Sequence, residues 1–172
     1  MHETTRLILV TTLCALCAGP ARAQDAAPCA SEEARQLDFW LGEWDLSWEG
    51  GSGSNLITRR FDDCVIEENF SGQVPSGLFL GHSVSVWDGR RGEWRQTWVD
   101  NQGSYLVFSG GIGEDEVMRL HGETRKLPDG RTQVTRMSWI DVEDDSLDWH
   151  WERSLDGGVT WEIVWVIHYE RR

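Results

Sequence analysis

Indoles recur at alternate positions through the second half of the chain. Trp94, Gln96 and Trp98 share one face of an extended segment, as do Trp149 and Trp151, and then Trp161, Ile163, Trp165, Ile167 and Tyr169. Rings supply large apolar area with few rotors to freeze, so such rows either fill a core or line a slot for a flat or long apolar molecule. Three polar residues share parity with apolar neighbours: Glu68 with Ile66 and Phe70, His82 with Leu80, Val84 and Val86, and Gln96 with its two Trp. A buried polar group costs stability unless bonded, so each is expected either to orient a ligand or to find an internal hydrogen bond or water. Beside indoles, Glu68 or His82 could also titrate abnormally and serve as a general acid or base in an isomerisation, cyclisation or hydrolysis. The candidate ligand-binding set is therefore Glu68, His82, Trp94, Gln96, Trp98, Trp149, Trp151 and Trp165. His121 is ambiguous in orientation, while His150 and His168 alternate with aromatics and are expected to face out.

Other chemistries lack their residues. Histidines without close pairing and no Cys-x-x-Cys leave no zinc set, so no metal is expected. One buried histidine can ligate haem, and His82 would be the choice, but nothing around it requires that. No cofactor is expected. Nucleophile-elbow, phosphate-loop and dinucleotide motifs are missing from the sequence. An enzyme remains open but is the second reading.

The positioning elements follow from composition. The 172 residues include eleven Trp and eighteen Gly, a single lysine, Lys126, and no alanine after Ala34. Helices rarely do without alanine and lysine, whereas aromatic residues suit a pleated surface and glycine supplies turns. Glu32 to Leu41 is the one short helical candidate, and everything beyond it alternates. Trp44, Leu46 and Trp48 share a face of the first strand, and Gly50 to Ser54 reads as the turn after it. Further strands are expected over 55–62, 64–71, 80–87, 93–100, 104–110, 116–123, 131–142, 147–154 and 160–171, with Gly72 to Gly77 as a mobile loop. The fold class is all-β: an antiparallel meander of 8–10 strands that must hide its edges, with closure into a barrel preferred and a jelly roll as the alternative.

Residues 1–23 read as a removable secretory signal, with Arg6 before an apolar run from Leu7 to Ala18 and Ala21-Arg22-Ala23 as the cleavage site. The run is too short for a membrane anchor, so no membrane insertion of the mature chain is expected. Residues 24–35 form an N-terminal arm and 36–172 the barrel domain. In a periplasmic or secreted setting Cys29 and Cys64 are expected to pair, the alternative being two buried thiols. Without the signal, 28 acidic face 14 basic side chains. That balance repels nucleic acid and anionic membrane surfaces.

Gly42-Glu43-Trp44, just after the helical turn, resembles the Gly-x-Trp signature of lipocalins and related calycin barrels. The resemblance implies that Trp44 plugs the closed end and that Arg171 or Arg172 packs over its indole. With the 38–45, 94–100 and 151–161 segments, residues 36–172 resemble a family of exported bacterial proteins with a lipocalin-like barrel. That implies the fold and leaves the ligand open. Ser154-x-Asp156-x-Gly158-x-Thr160-Trp161 is similar to the Asp-box of secreted β proteins, a turn in which the acid and hydroxyls bond loop backbone while Trp161 packs beneath. Gly42, Trp44, Arg171, Asp156 and Trp161 are accordingly expected to be structural. The functional expectation is a barrel binding a small hydrophobic or aromatic molecule, with an enzyme of the same fold or an envelope interaction module as alternatives.

Overall fold

The computed structural model describes residues 29–172. The proposed signal segment and the start of the arm lie outside the described residues. Two single-turn 3-10 helices, Glu33–Arg35 and Asp38–Trp40, stand where one short helix is expected. Eleven strands follow: β1 (Gly42–Trp48), β2 (Gly51–Arg60), β3 (Val65–Val74), β4 (Gly77–Asp88), β5 (Glu93–Asp100), β6 (Tyr105–Ile112), β7 (Met118–Gly122), β8 (Arg125–Lys126), β9 (Thr132–Ile140), β10 (Ser146–Ser154) and β11 (Glu162–Arg171). Each pairs antiparallel with its sequence neighbour from β1 to β7; β7 then pairs with β9, β9 with β10, β10 with β11, and β11 returns to β1. The result is a closed barrel of ten strands, with β8 as a two-residue stub on β9. Closure removes the free edges that a meander of this length would otherwise expose.

One end is plugged. Leu37, Trp40, Trp44, Trp94 and Trp139 are all essentially inaccessible there. The Trp44 indole N–H donates to the Trp40 carbonyl at 2.8 Å, and that of Trp94 donates to the Glu33 carbonyl and Gln36 Oε1, both at 3.2 Å. The Arg171 guanidinium lies 4.1 Å above the Trp44 ring, as the Gly-x-Trp resemblance implies. Gly42 has a φ of 128°, and a Cβ there would sit 2.5 Å from Arg171 Nη1. Both facts demand glycine.

Cys29 and Cys64 form a disulfide that ties the arm to the β2–β3 turn. Two glycine segments depart from expectation. Gly51 to Ser54 belongs to β2, and Gly72 to Gly77 contains the end of β3 and the start of β4, joined by a two-residue turn. The reason is steric. Cβ atoms at Gly51 and Gly72 would meet the Trp48 indole at 2.3 and 2.7 Å, and one at Gly81 would meet Trp98 at 2.0 Å. These glycines make the wall thin enough for inward indoles to lie against it, a role that local sequence cannot separate from turn formation.

The Asp-box segment joins β10 to β11. Asp156 accepts from the Val159 and Thr160 amides, from Thr160 Oγ1 at 2.6 Å and from Ser154 Oγ at 2.7 Å. Those hydrogen bonds hold its carboxyl well below the ordinary value, led by the ones from Thr160. The loop docks through Trp161, whose ring takes the Arg136 guanidinium at 3.9 Å. Asp156→Ala should leave the barrel folded and raise hydrogen exchange of the Val159 and Thr160 amides by about tenfold or more. Unchanged exchange would show that Trp161 alone holds the loop.

Candidate functional site

Above the plugged end the barrel is hollow. A cavity of about 200 Å³ is lined by Trp40, Phe70, Phe79, Trp98, Phe108, Trp149, Trp151 and Trp165, together with Leu106, Met137, Ile167, Tyr169, Glu68, Gln96 and Asp100. Strand register builds it. Trp149 and Trp151 stand next to each other on β10, stacked at 6.0 Å, and Trp165 on β11 meets Trp149 edge-on at 6.1 Å. Phe70, Phe79 and Trp98 form a second group across the barrel, with centroids 5.6–6.2 Å apart.

The polar groups are few. Glu68 projects inward from β3, 5% exposed, its oxygens accepting from Asn55 Nδ2 at 2.7 Å and Ser83 Oγ at 2.6 Å. Among the described residues no cation pairs with it, so burial dominates and its carboxyl is pushed up to about 7, the two hydrogen bonds only moderating the shift. Asn55 Nδ2 also donates to Tyr169 Oη at 3.2 Å; burial and the neighbouring Glu68 raise the phenol above its ordinary value. Among the described residues Asn55 Oδ1 is buried without a hydrogen-bond partner. Gln96 donates to Ser85 Oγ at 2.9 Å. Asp100 accepts from the Trp98 indole N–H at 2.9 Å; burial opposes its ionisation, but this bond and those from Ser104 and Gln102 hold its carboxyl below the ordinary value.

Of the residues singled out from sequence, Glu68, Gln96, Trp98, Trp149, Trp151 and Trp165 line this one cavity. Two do not. Trp94 is sealed in the plug, below the hollow. His82 faces out of the barrel with Leu80, Val84 and Val86, beside Asn69 Oδ1 at 3.2 Å and Glu67. The parity of β4 misleads because its inward positions, Phe79, Gly81, Ser83 and Ser85, are mostly small, yielding space to indoles from neighbouring strands. The outward valines therefore look like the core side. His121 also lies on the outer surface, against Trp161 at 5.7 Å. Burial, then Arg136 and Arg119, lowers its ring pKa.

Sequence reasoning gives no role to Asn55 or Ser83 and places Tyr169 only in an aromatic row, yet the three complete the Glu68 cluster. Only the cross-strand register brings them together, through the β2–β3 and β3–β4 pairings of Asn55 with Phe70 and Glu68 with Ser83. It also passes over Glu152, buried on the outer face of β10. Burial works against its ionisation, but bidentate hydrogen bonds from Arg136 at 2.7 and 2.8 Å, with Ser138, hold its carboxyl below the ordinary value. The two buried glutamates thus differ in kind. One is clamped as an ion; the other sits in the hollow with a proton to give or take.

Among the described residues, no group of three or more His, Cys, Asp or Glu side chains is placed to hold a metal ion, and no helix is long and apolar enough to cross a membrane. No protein-family model matches the chain, and no curated protein matches it in sequence. Among solved structures it is similar to one described as EF1p2_mFAP2b bound to DFHBI, at 10% identity, with 81% of this chain and 99% of that chain covered and a TM-score of 0.38. The barrel itself is established by the hydrogen-bonded circuit of strands.

Proposed function

We propose that this protein is an exported carrier or receptor that takes a small apolar or aromatic molecule into its indole-lined hollow. The carrying observation is the hollow itself: rings that could have interlocked instead surround about 200 Å³, with the Glu68 carboxyl at its wall. A space on the order of 150 Å³ is enough for a benzene-sized guest, so this one suits a body of one or two rings. Burying such a body against aromatic walls contributes roughly 25 cal/mol for each Å² of apolar surface removed from water. Export rests on the signal-like N-terminus, with the Cys29–Cys64 disulfide and the acidic exterior in keeping with it.

Titration with a panel of one- and two-ring aromatic compounds is expected to give a saturable change in Trp emission. Met137→Trp, which adds bulk at a cavity-lining position, should weaken that binding by about tenfold while thermal unfolding stays cooperative. Silence across the panel, or undiminished binding by the folded variant, would reject the proposal.

Glu68 favours a second reading, an enzyme of the same architecture. A carboxyl poised near neutrality within an apolar cavity is suited to general acid–base chemistry on the bound molecule. In that reading Glu68 transfers the proton and the indoles hold the substrate.

A further inference from the structure

The barrel wall has a gap. β6 pairs with β7 only from Phe108 opposite Gly122 to Ile112 opposite Met118, so Tyr105, Leu106 and Val107 have no strand on that side. The chain leaves β7 at Gly122 and reaches β8, which pairs with β9 instead of β6. Between the unpaired end of β6 and the start of β9 lies a cleft of about 450 Å³, larger than the interior space. Leu106, Phe108 and Trp151 line both. The partition is one layer of side chains, with the Phe108 and Trp151 rings edge-to-face at 5.7 Å.

The two spaces differ in chemistry. The interior walls are mostly aromatic, whereas the cleft presents Glu123, Thr124, Arg125, Gln133 and Thr135. Arg125 stands out in this acidic chain. Among the described residues, every other arginine except Arg90 lies within ion-pair distance of a carboxylate. Arg125 reaches only the Gln133 amide oxygen, at 3.5 Å, and Glu123 in the same cleft does not neutralise it.

We propose that the lateral cleft is the second compartment of the binding site, taking the anionic head of an amphiphile whose ring system occupies the barrel. The Arg125 guanidinium pairs with the head, Gln133 and Thr135 offer further hydrogen bonds, and the molecule passes between Phe108 and Trp151. This rests on the interior being a ligand site. It adds to that reading the class of ligand, an aromatic or apolar body with a carboxylate or similar anion a few bonds away, and a route through the side of the barrel. A guanidinium left without its carboxylate in a chain so rich in acid is what an anion-binding position requires.

The test compares 6-phenylhexanoate with 6-phenylhexan-1-ol by calorimetry at about pH 6, below the value of about 7 to which the interior Glu68 carboxyl is raised, so that its own charge is mostly suppressed. The full chain is expected to bind the carboxylate about tenfold more tightly than the alcohol, the worth of one charge-assisted contact. Arg125→Gln should abolish that preference by weakening the carboxylate alone, and Arg90→Gln, the other unpaired arginine, should leave it intact. Equal binding of the two compounds overturns the cleft assignment and leaves the cavity reading standing. So does a preference that survives Arg125→Gln or disappears equally with Arg90→Gln. Failure of both compounds to bind removes this proposal along with the phenyl-accepting hollow on which it stands.

Discussion

At pH 8 the Glu68→Gln protein is expected to be about 3 kcal/mol more stable than the wild type, and below pH 4.5 the two should unfold alike. The Glu68 carboxyl is raised from 4.5 to about 7 chiefly because burial penalises its charged form. In the unfolded chain the same group ionises near 4.5. Its contribution to stability is therefore fully present below 4.5, falls as pH rises through the interval, and is lost once pH exceeds the folded value of about 7. Glutamine keeps the shape and both hydrogen bonds, since Oε1 still accepts from Asn55 and the amide can donate to Ser83 Oγ. What it removes is the pH dependence. Denaturant unfolding of both proteins from pH 4 to pH 8 decides the matter, and parallel stability curves would mean that Glu68 is solvated through the cavity. The same variant separates the two functional readings: a carrier keeps its affinity near pH 6, while an enzyme that uses this proton keeps affinity and loses turnover.

Arg171→Ala should cost about 4 kcal/mol. The side chain closes the barrel from outside the plug: Nη1 donates to the Leu41 carbonyl at 2.6 Å, Nη2 to that of Phe39 at 3.1 Å, and Nε to that of Asp144 at 2.8 Å. It links the second 3-10 turn, the start of β1, the β9–β10 loop and the last strand, while its plane covers Trp44. Truncation leaves backbone acceptors without their charged donor and uncovers an indole that is otherwise fully buried. Arg171→Lys should recover about half of the loss, since an ammonium restores charge over the ring but cannot span three carbonyls. Chemical denaturation measures both. A loss below about 1 kcal/mol for alanine would make this residue an ordinary surface arginine.

At the plug, Gly42, Trp44 and a covering arginine were legible from sequence, while Trp94 and Trp139 enter it only through strand register. Gly42 and Trp44 are two residues apart, and Arg171 pairs directly with Trp44 across β1 and β11. The indole rows of β5, β10 and β11 were visible from parity in part: Trp94 falls one layer too low to reach the hollow, and a register shift at Trp151/Glu152 splits the β11 row, so that Trp165, Ile167 and Tyr169 face inward while Ile163 is exposed and Trp161 packs on the outer surface against Arg136. His82 shows where such reading stops. On β4 the apolar parity faces solvent, and the core side is small, because the volume there is supplied by Trp98 from β5 and by the Glu68 cluster from β3.

Residue types and alternation were enough for the class of fold, most of the ring-bearing faces and the pair of cysteines open to bonding, and one short motif narrowed the closing arginine to Arg171 or Arg172, since each of these depends on local pattern. That the rings leave a space, that Glu68 meets Asn55, Ser83 and Tyr169, and that the wall opens between β6 and β9 emerges only once the barrel is assembled. Those features depend on strand register and on whether neighbouring side chains fill or spare the same volume. Alternation along a single strand records which way a side chain points and carries no information about what it meets across the barrel.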